Sequence, residues 1–243
     1  MFRLGVITDE VSQDLKAAID FALEFGLRGL EIRTAGGKNI MDMTTDEVKE
    51  IRKMADGSGL EVPSISSPVF KCDLADEETV RKHMDGLKKC LDFSGILEAS
   101  VIRFFDFLYN ENHILPDEQR YEKLHLAADL AEPYSITLAL ENEPIVYSST
   151  FSNISETVRT LGRHNVKALY DPGNAVYCDS SEPPYPEGYE LIRDILCHIH
   201  IKDAKRVKGE VVSTDLGEGA VDYRGIFQRL FDDGYEGYII LET

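Results

Sequence analysis

Residues 136–175 read ITLALENEPIVYSSTFSNISETVRTLGRHNVKALYDPGNA, and the hydrophobic period changes twice within them. The runs at 136–140 and 166–170 are short, apolar and rich in β-formers. Between them Ile154, Val158 and Leu161 recur at helical spacing, which predicts one amphipathic helix between two strands. Asn153, with Glu156 three residues on, reads as the helix start, because an Asn side chain can accept hydrogen bonds from free first-turn N–H groups. A strand, a helix and a second strand of the same kind make a βα repeat with parallel strands. Acid follows each strand, Glu141 after the first and Asp171 after the second.

The repeat extends in both directions. Further β-rich runs lie at 4–7, 29–32, 61–65, 101–104, 198–201 and 238–241, with starts about 25 to 40 residues apart. Helical stripes lie between them: Leu15, Ala18, Ile19, Ala22 and Leu23; Val80, Met84, Leu87 and Leu91; Tyr121, Leu124, Ala128 and Ala131; Ile226, Leu230 and Phe231. No G-x-G-x-x-G or G-x-x-x-x-G-K-[ST] follows a strand, so an open nucleotide-binding sheet loses its main support. Eight βα repeats in 243 residues match the size of a closed (β/α)8 TIM barrel. No Pro/Gly/Ser-rich linker divides the chain, which predicts a single domain over residues 1–243, with 179–188 as a long surface loop. The chain stops soon after the eighth strand, so the expected barrel lacks its eighth helix.

Composition narrows the partners. With 26 Lys+Arg against 44 Asp+Glu the formal charge is −18, which opposes binding to nucleic acid and to anionic membrane surfaces. The densest basic group, Lys202, Lys205, Arg206 and Lys208, is short. Hydrophobic residues at 43% with charged residues at 29% describe an ordinary globular chain, not a disordered one. The 4 cysteines are scattered without C-x-x-C spacing, so reduced thiols are expected. The N-terminus MFRLGVITDE has no apolar signal-peptide core, and no apolar run approaches membrane length. The expected location is the cytoplasm.

In such a barrel the site is built at the C-terminal strand ends. Those ends carry Glu31, Glu141, Asp171, His200 and Glu242. Any one acid there could be a solvated loop residue or a helix cap. Several converging on one mouth would repel and desolvate each other unless a cation compensates them. Glu141, Asp171, His200 and Glu242 form a mostly hard-oxygen set that suits one divalent metal ion, Mn²⁺ or Mg²⁺ first, with Co²⁺ or Zn²⁺ tolerated. His198 and His200 alternate onto the same side of their strand, and either could be a core histidine. His200 lies nearer the strand end and is the better ligand, with His198 in a deeper layer.

LEIR at 30–33, LALEN at 138–142, LYDPGNA at 169–175, HIHIKDA at 198–204, LGEGAVDY at 216–223 and IILET at 239–243 follow in this order. Together they resemble the xylose-isomerase-like TIM barrels, the sugar phosphate isomerase/epimerase family related to endonuclease IV. The resemblance covers essentially the whole chain and specifies no substrate. It implies a divalent metal on Glu141, Asp171, His200 and Glu242. It also implies that Glu141 and Glu242 exchange a proton next to a carbonyl while the metal polarises the oxygens. Glu31, Asn174, His198, Lys202 and Arg206 are then candidate contacts to sugar hydroxyls or phosphate. Asn174 departs from the pattern, because several relatives place a His three residues after the Asp.

The expected function is therefore a metal-dependent isomerase or epimerase of a small carbohydrate. An inosose-type dehydratase on the same site is the alternative. An abasic-site endonuclease would need further histidines on strands three, four and seven, and a non-catalytic binding barrel would need no metal. The missing helix predicts bare apolar surface outside strands eight and one, and hence a homo-oligomer, with a dimer favoured by symmetry.

Overall fold

The computed structural model describes residues 2–111, 116–178 and 182–242. Eight strands close into a parallel barrel in chain order: β1 Arg3–Ile7, β2 Gly29–Ile32, β3 Glu61–Ile65, β4 Val101–Phe104, β5 Thr137–Glu141, β6 Val166–Tyr170, β7 Leu196–Ile201 and β8 Tyr238–Leu241. β8 pairs with β1, Gly5 standing opposite Ile240, and this pairing removes the last open edge.

Side chains alternate across each strand, and the two faces are packed differently. Leu30, Ile32, Ile199, Ile201 and Ile239 join one apolar cluster with the surrounding helices, whereas Ile7, Tyr238 and Ile240 form a separate cluster. The first is the layer between sheet and helices; the second fills the barrel axis. Above it the inward positions turn polar.

The helices follow from local signals. Phe151–Leu161 buries Ile154, Val158 and Leu161, as the stripe requires. Its cap is Thr150, not Asn153. Thr150 accepts from the backbone N–H of Asn153, whose own side chain reaches back to Thr150, so Asn153 is the far partner of a capping box. Helix Leu15–Glu24 buries Leu15, Ala18, Ile19 and Ala22, but Leu23 lies outside the stripe at 50% exposure. Helix Thr45–Ser58 gave no apolar stripe in the sequence, because only Val48, Ile51 and Ala55 are buried in a charged segment. Its signal was instead the Thr44–Glu47 capping box, with Gly59 ending the helix at φ 68°.

Two additions shape the mouth. After β7 an antiparallel hairpin, Asp203–Val207 with Glu210–Thr214, stands over the strand ends. Within the expected loop 179–188, Pro184–Gly188 forms a wide helical turn running into Tyr189–Ile192; residues 179–181 lie outside the described set. The outer face where β8 meets β1 is less bare than expected. Val6 and Ile239 are buried, with Phe2 and Phe227 (ring centroids 6.0 Å apart) packed against their cluster, and Leu4 at 41% remains open. All four cysteines are free thiols. Among the described residues no helix is long and apolar enough to cross a membrane.

Candidate metal centre at the barrel mouth

Asp171 opens the short helix Pro172–Tyr177 and caps it, its Oδ1 accepting the Asn174 N–H at 2.9 Å. That bond fixes the carboxylate rotamer and turns Oδ2 into the barrel, where it is buried 2.9 Å from the Lys202 ammonium. The neighbouring loop is locked to it. Asn142 donates to the Asp171 carbonyl at 2.8 Å and accepts the Asp171 N–H at 3.0 Å, while the Asn174 amide donates to the Asn142 carbonyl at 2.8 Å. The strand ends carrying Glu141 and Asp171 thus hold each other in place.

His200 stands at the centre. Its Nδ1 lies 3.1 Å from Glu141 Oε1 and 3.1 Å from Glu242 Oε2. Its Nε2 points the other way, 2.9 Å from Glu31 Oε1. Ligand atoms of Glu141, Asp171, His200 and Glu242 all lie within 4.8 Å of one another, and all four residues are buried. Cations surround them. Lys202 Nζ is 2.9 Å from Asp171 Oδ2 and 3.1 Å from Glu242 Oε2; Arg103 Nη1 is 3.1 Å from Glu141 Oε2; Arg33 Nη1 is 3.0 Å from Glu242 Oε1.

Burial alone would raise every carboxyl here, and neighbouring charge decides the outcome. Glu242 is held well below the usual range because His200, Lys202 and Arg103 outweigh its desolvation. Glu141 is lowered as well, with Arg103 the main opponent of burial. Asp171 is pushed up to about 6 by burial, against Lys202 and with the repulsion of Glu242 and Glu141. His200 is driven well above its ordinary range: burial opposes the charge, but Glu31 and Glu141 overcome it.

The donor set fits a divalent cation. Three carboxylates and one imidazole converge, a hard-oxygen set with one nitrogen, and Asp171 Oδ2 and Glu141 Oε2 are buried beside the cations Lys202 and Arg103. A pocket of about 330 Å³, lined in part by Lys202, Thr214, Asp215, Leu216 and Glu242, opens beside the cluster.

The profile of the family described as xylose isomerase-like TIM barrel matches residues 19–243. The chain belongs to that family. Among the relatives of this xylose isomerase-like barrel is an inosose dehydratase of Clostridium perfringens. It is 23% identical, over 90% of this chain and 80% of that protein. Another is a putative L-ribulose-5-phosphate 3-epimerase, SgbU, of Escherichia coli, 24% identical over 85% of this chain and 79% of that protein. The solved structure of a xylose isomerase-like TIM barrel protein from Mycobacterium smegmatis, in complex with magnesium, superposes with a TM-score of 0.74. It is 20% identical and the match covers 93% of this chain and 80% of that one.

Of the five expected sugar contacts, Lys202 stands at the centre and the other four do not face the opening. Glu31 and His198 lie beneath His200, buried and bonded to each other. Asn174 is taken up by the loop clamp just described. Arg206 lies out on the hairpin and donates to the carbonyls of Val176 and Cys178, at 3.4 and 3.1 Å. Sequence reasoning missed Arg33 and Arg103, although LEIR and VIRF place both at strand ends. It also missed Asp203, which accepts N–H bonds from Ala204, Gly217, Gly219 and Val221 and thereby ties loop 215–221 to the mouth.

Proposed function

We propose that this chain is a metal-dependent isomerase or epimerase acting on a small sugar, a keto-polyol or its phosphate. The reaction moves a proton at the carbon next to a carbonyl. Glu141, Asp171, His200 and Glu242 would hold one divalent ion, Mn²⁺ first and Mg²⁺, Co²⁺ or Zn²⁺ as alternatives, and when bound it polarises the substrate oxygens. The observation that carries this reading is the meeting of Glu141 and Glu242 at one buried imidazole nitrogen, each 3.1 Å away and each held in its ionised form. An ionised carboxylate beside the reacting carbon can take its proton, and a carboxyl that has taken one up can return it. Lys202 borders the pocket and, as an ammonium, is placed to hold a substrate hydroxyl or to orient the carbonyl.

The same residues also support a dehydratase. After proton removal a β-hydroxyl can leave as water, with its proton supplied by an ammonium such as Lys202. The relationship to an inosose dehydratase favours keeping this second reading.

The test is incubation of the Mn²⁺-supplied protein in deuterium oxide with ketoses, inososes and ketose phosphates. Deuterium should enter at the carbon next to the carbonyl, and Glu141→Gln should cut the rate by about 10²–10⁴-fold. Undiminished exchange in the variant removes Glu141 from the role of base. Loss of water from an inosose, with no epimer formed, selects the dehydratase.

A further inference from the structure

Glu31 sits one layer below the proposed ligands, and its two oxygens go to different rings. Oε1 is 2.9 Å from His200 Nε2, and Oε2 is 2.6 Å from His198 Nε2. The Ser64 hydroxyl also donates to Oε2 and lies 3.2 Å from His198 Nε2. Glu31, His198 and His200 are all buried. Each oxygen meets ring nitrogen or hydroxyl donors, so the carboxylate accepts on both sides.

An acceptor-only partner fixes where the His200 proton resides. The hydrogen bond at Nε2 requires an N–H there, because a carboxylate cannot donate. By the same argument Nδ1 carries a proton in the metal-free chain, shared with two further carboxylates, and a bound ion would take that proton's place. Nδ1 is the nitrogen that faces Glu141 and Glu242 at 3.1 Å. With Nε2 held by Glu31, Nδ1 is the ring nitrogen placed to take an ion.

Resting on the proposed metal-dependent function, we infer that Glu31 is a positioning residue of the metal centre, fixing His200 with its proton on Nε2 and Nδ1 turned to the ion, and that His198 and Ser64 hold Glu31 in place. The pairing explains the HIHI run. Alternation puts both rings on the inner face of β7, with centroids 5.4 Å apart, one as ligand and one as support two residues deeper. Ligand atoms of Glu31, His198 and His200 also come within 4.8 Å of one another, but N–H···O bonds already join them. A second ion there would have to displace both protons. A carboxylate behind a metal-bound imidazole typically sets metal affinity by 10–100-fold.

The experiment uses the full chain, Zn²⁺ as a diamagnetic probe and ¹⁵N-labelled histidine. In the zinc-loaded wild type, long-range nitrogen–proton correlations should show His200 protonated at Nε2 and ligated at Nδ1. Glu31→Ala should weaken Zn²⁺ binding by about 10–100-fold. Glu31→Gln keeps a carbonyl that can accept the Nε2 proton, so it should preserve the His200 signature and lose less than about 10-fold. The signature and the partial rescue separate positioning from a general loss of packing, and both remain readable if Glu31→Ala does not fold. Ligation through Nε2 in the wild type, or a Glu31→Ala affinity within about twofold of wild type, overturns the inference and leaves the proposed function standing. A wild-type chain that takes up no Zn²⁺ overturns both.

Discussion

Along β8 the inward positions read Tyr238, Ile240 and then Glu242; along β2 they read Gly29 and then Glu31. The lower barrel interior is an apolar plug. Ile7, Tyr238 and Ile240 cluster there, and Gly5 and Gly29 leave room for them. The upper interior begins two residues further along β2 and β8 with Glu31 and Glu242, and the neighbouring strands add Arg103, Glu141 and Asp171, all buried, around His200. Apolar burial in the plug favours the fold at roughly 25 cal/mol per Å². Burying charge in the upper layer costs free energy that ion pairing only partly returns. One end therefore contributes stability and the other function, and their separation by a single pleat makes the division testable.

The largest expected effect breaks the plug alone. Ile240 is fully buried, and Ile240→Ala should cost about 2–5 kcal/mol in chemical denaturation. The upper layer should be indifferent to it. Divalent metal at 100 times its dissociation constant stabilises a folded protein by about 2.7 kcal/mol, and Ile240→Ala should gain the same increment as wild type. Glu242→Gln should lose most of it, since it removes a proposed ligand. A metal increment that vanishes in Ile240→Ala would show that the two ends are not independent.

The division also explains what was legible in the sequence. Gly29–Ile32, Glu61–Ile65, Val101–Phe104, Val166–Tyr170 and Tyr238–Leu241 begin and end where the β-rich runs do, because strands buried on both faces are marked by composition. β5 runs one residue further, to Glu141, and β7 begins earlier, at Leu196, since a strand end is set by pairing to neighbours far along the chain. Helix Thr45–Ser58 escaped because its buried stripe is thin. In the site, acids at strand ends stand out, since each is a costly residue in a costly place. Arg33 and Arg103 did not, because a cation matters only through its partner. Arg33 pairs with Asp9 and Glu10 and, across the mouth, with Glu242, which is 209 residues away. His200 could be preferred over His198 from its position, but which ring nitrogen faces which carboxylate exists only in three dimensions.

A smaller effect concerns the upper layer without metal. Burial and the neighbouring carboxylates raise Asp171 from an ordinary 3.8 to about 6. Between about pH 4 and pH 6 the folded chain then keeps a proton that the unfolded chain has released, so stability falls as pH rises through that window. Glu31 and Glu242 act in the opposite sense, because their lowered values give stability that is present above about pH 4.5 and lost in more acidic solution. Chelator-treated wild type should therefore lose stability from about pH 4 to 6 relative to Asp171→Asn, which has no such proton. Ile240→Ala should show the wild-type slope. Parallel curves for wild type and Asp171→Asn would mean that Asp171 is already ionised at pH 4.

The smallest effect asks how tightly the plug is fitted. A Cβ added at Gly29 would lie 2.4 Å from Tyr238 Cε1 and 2.9 Å from Cδ1, closer than atoms can approach. Elsewhere in a strand Gly→Ala gains about 0.5–1 kcal/mol from reduced backbone freedom in the unfolded chain. Here the ring must move instead, and it is held: Tyr238 is 3% exposed and the Arg3 guanidinium stacks on it at 4.3 Å. Overpacking of this kind costs about 1–3 kcal/mol, so Gly29→Ala should be destabilising on balance. In a Tyr238→Leu background the obstruction is gone, and the same substitution should become neutral or mildly stabilising. The double-mutant cycle reads the difference as a coupling between the two positions. Equal penalties in both backgrounds would mean that the backbone of β2, and not the ring of Tyr238, requires glycine. The metal increment should stay at its wild-type size in all four proteins, since none of these changes reaches the layer that begins at Glu31.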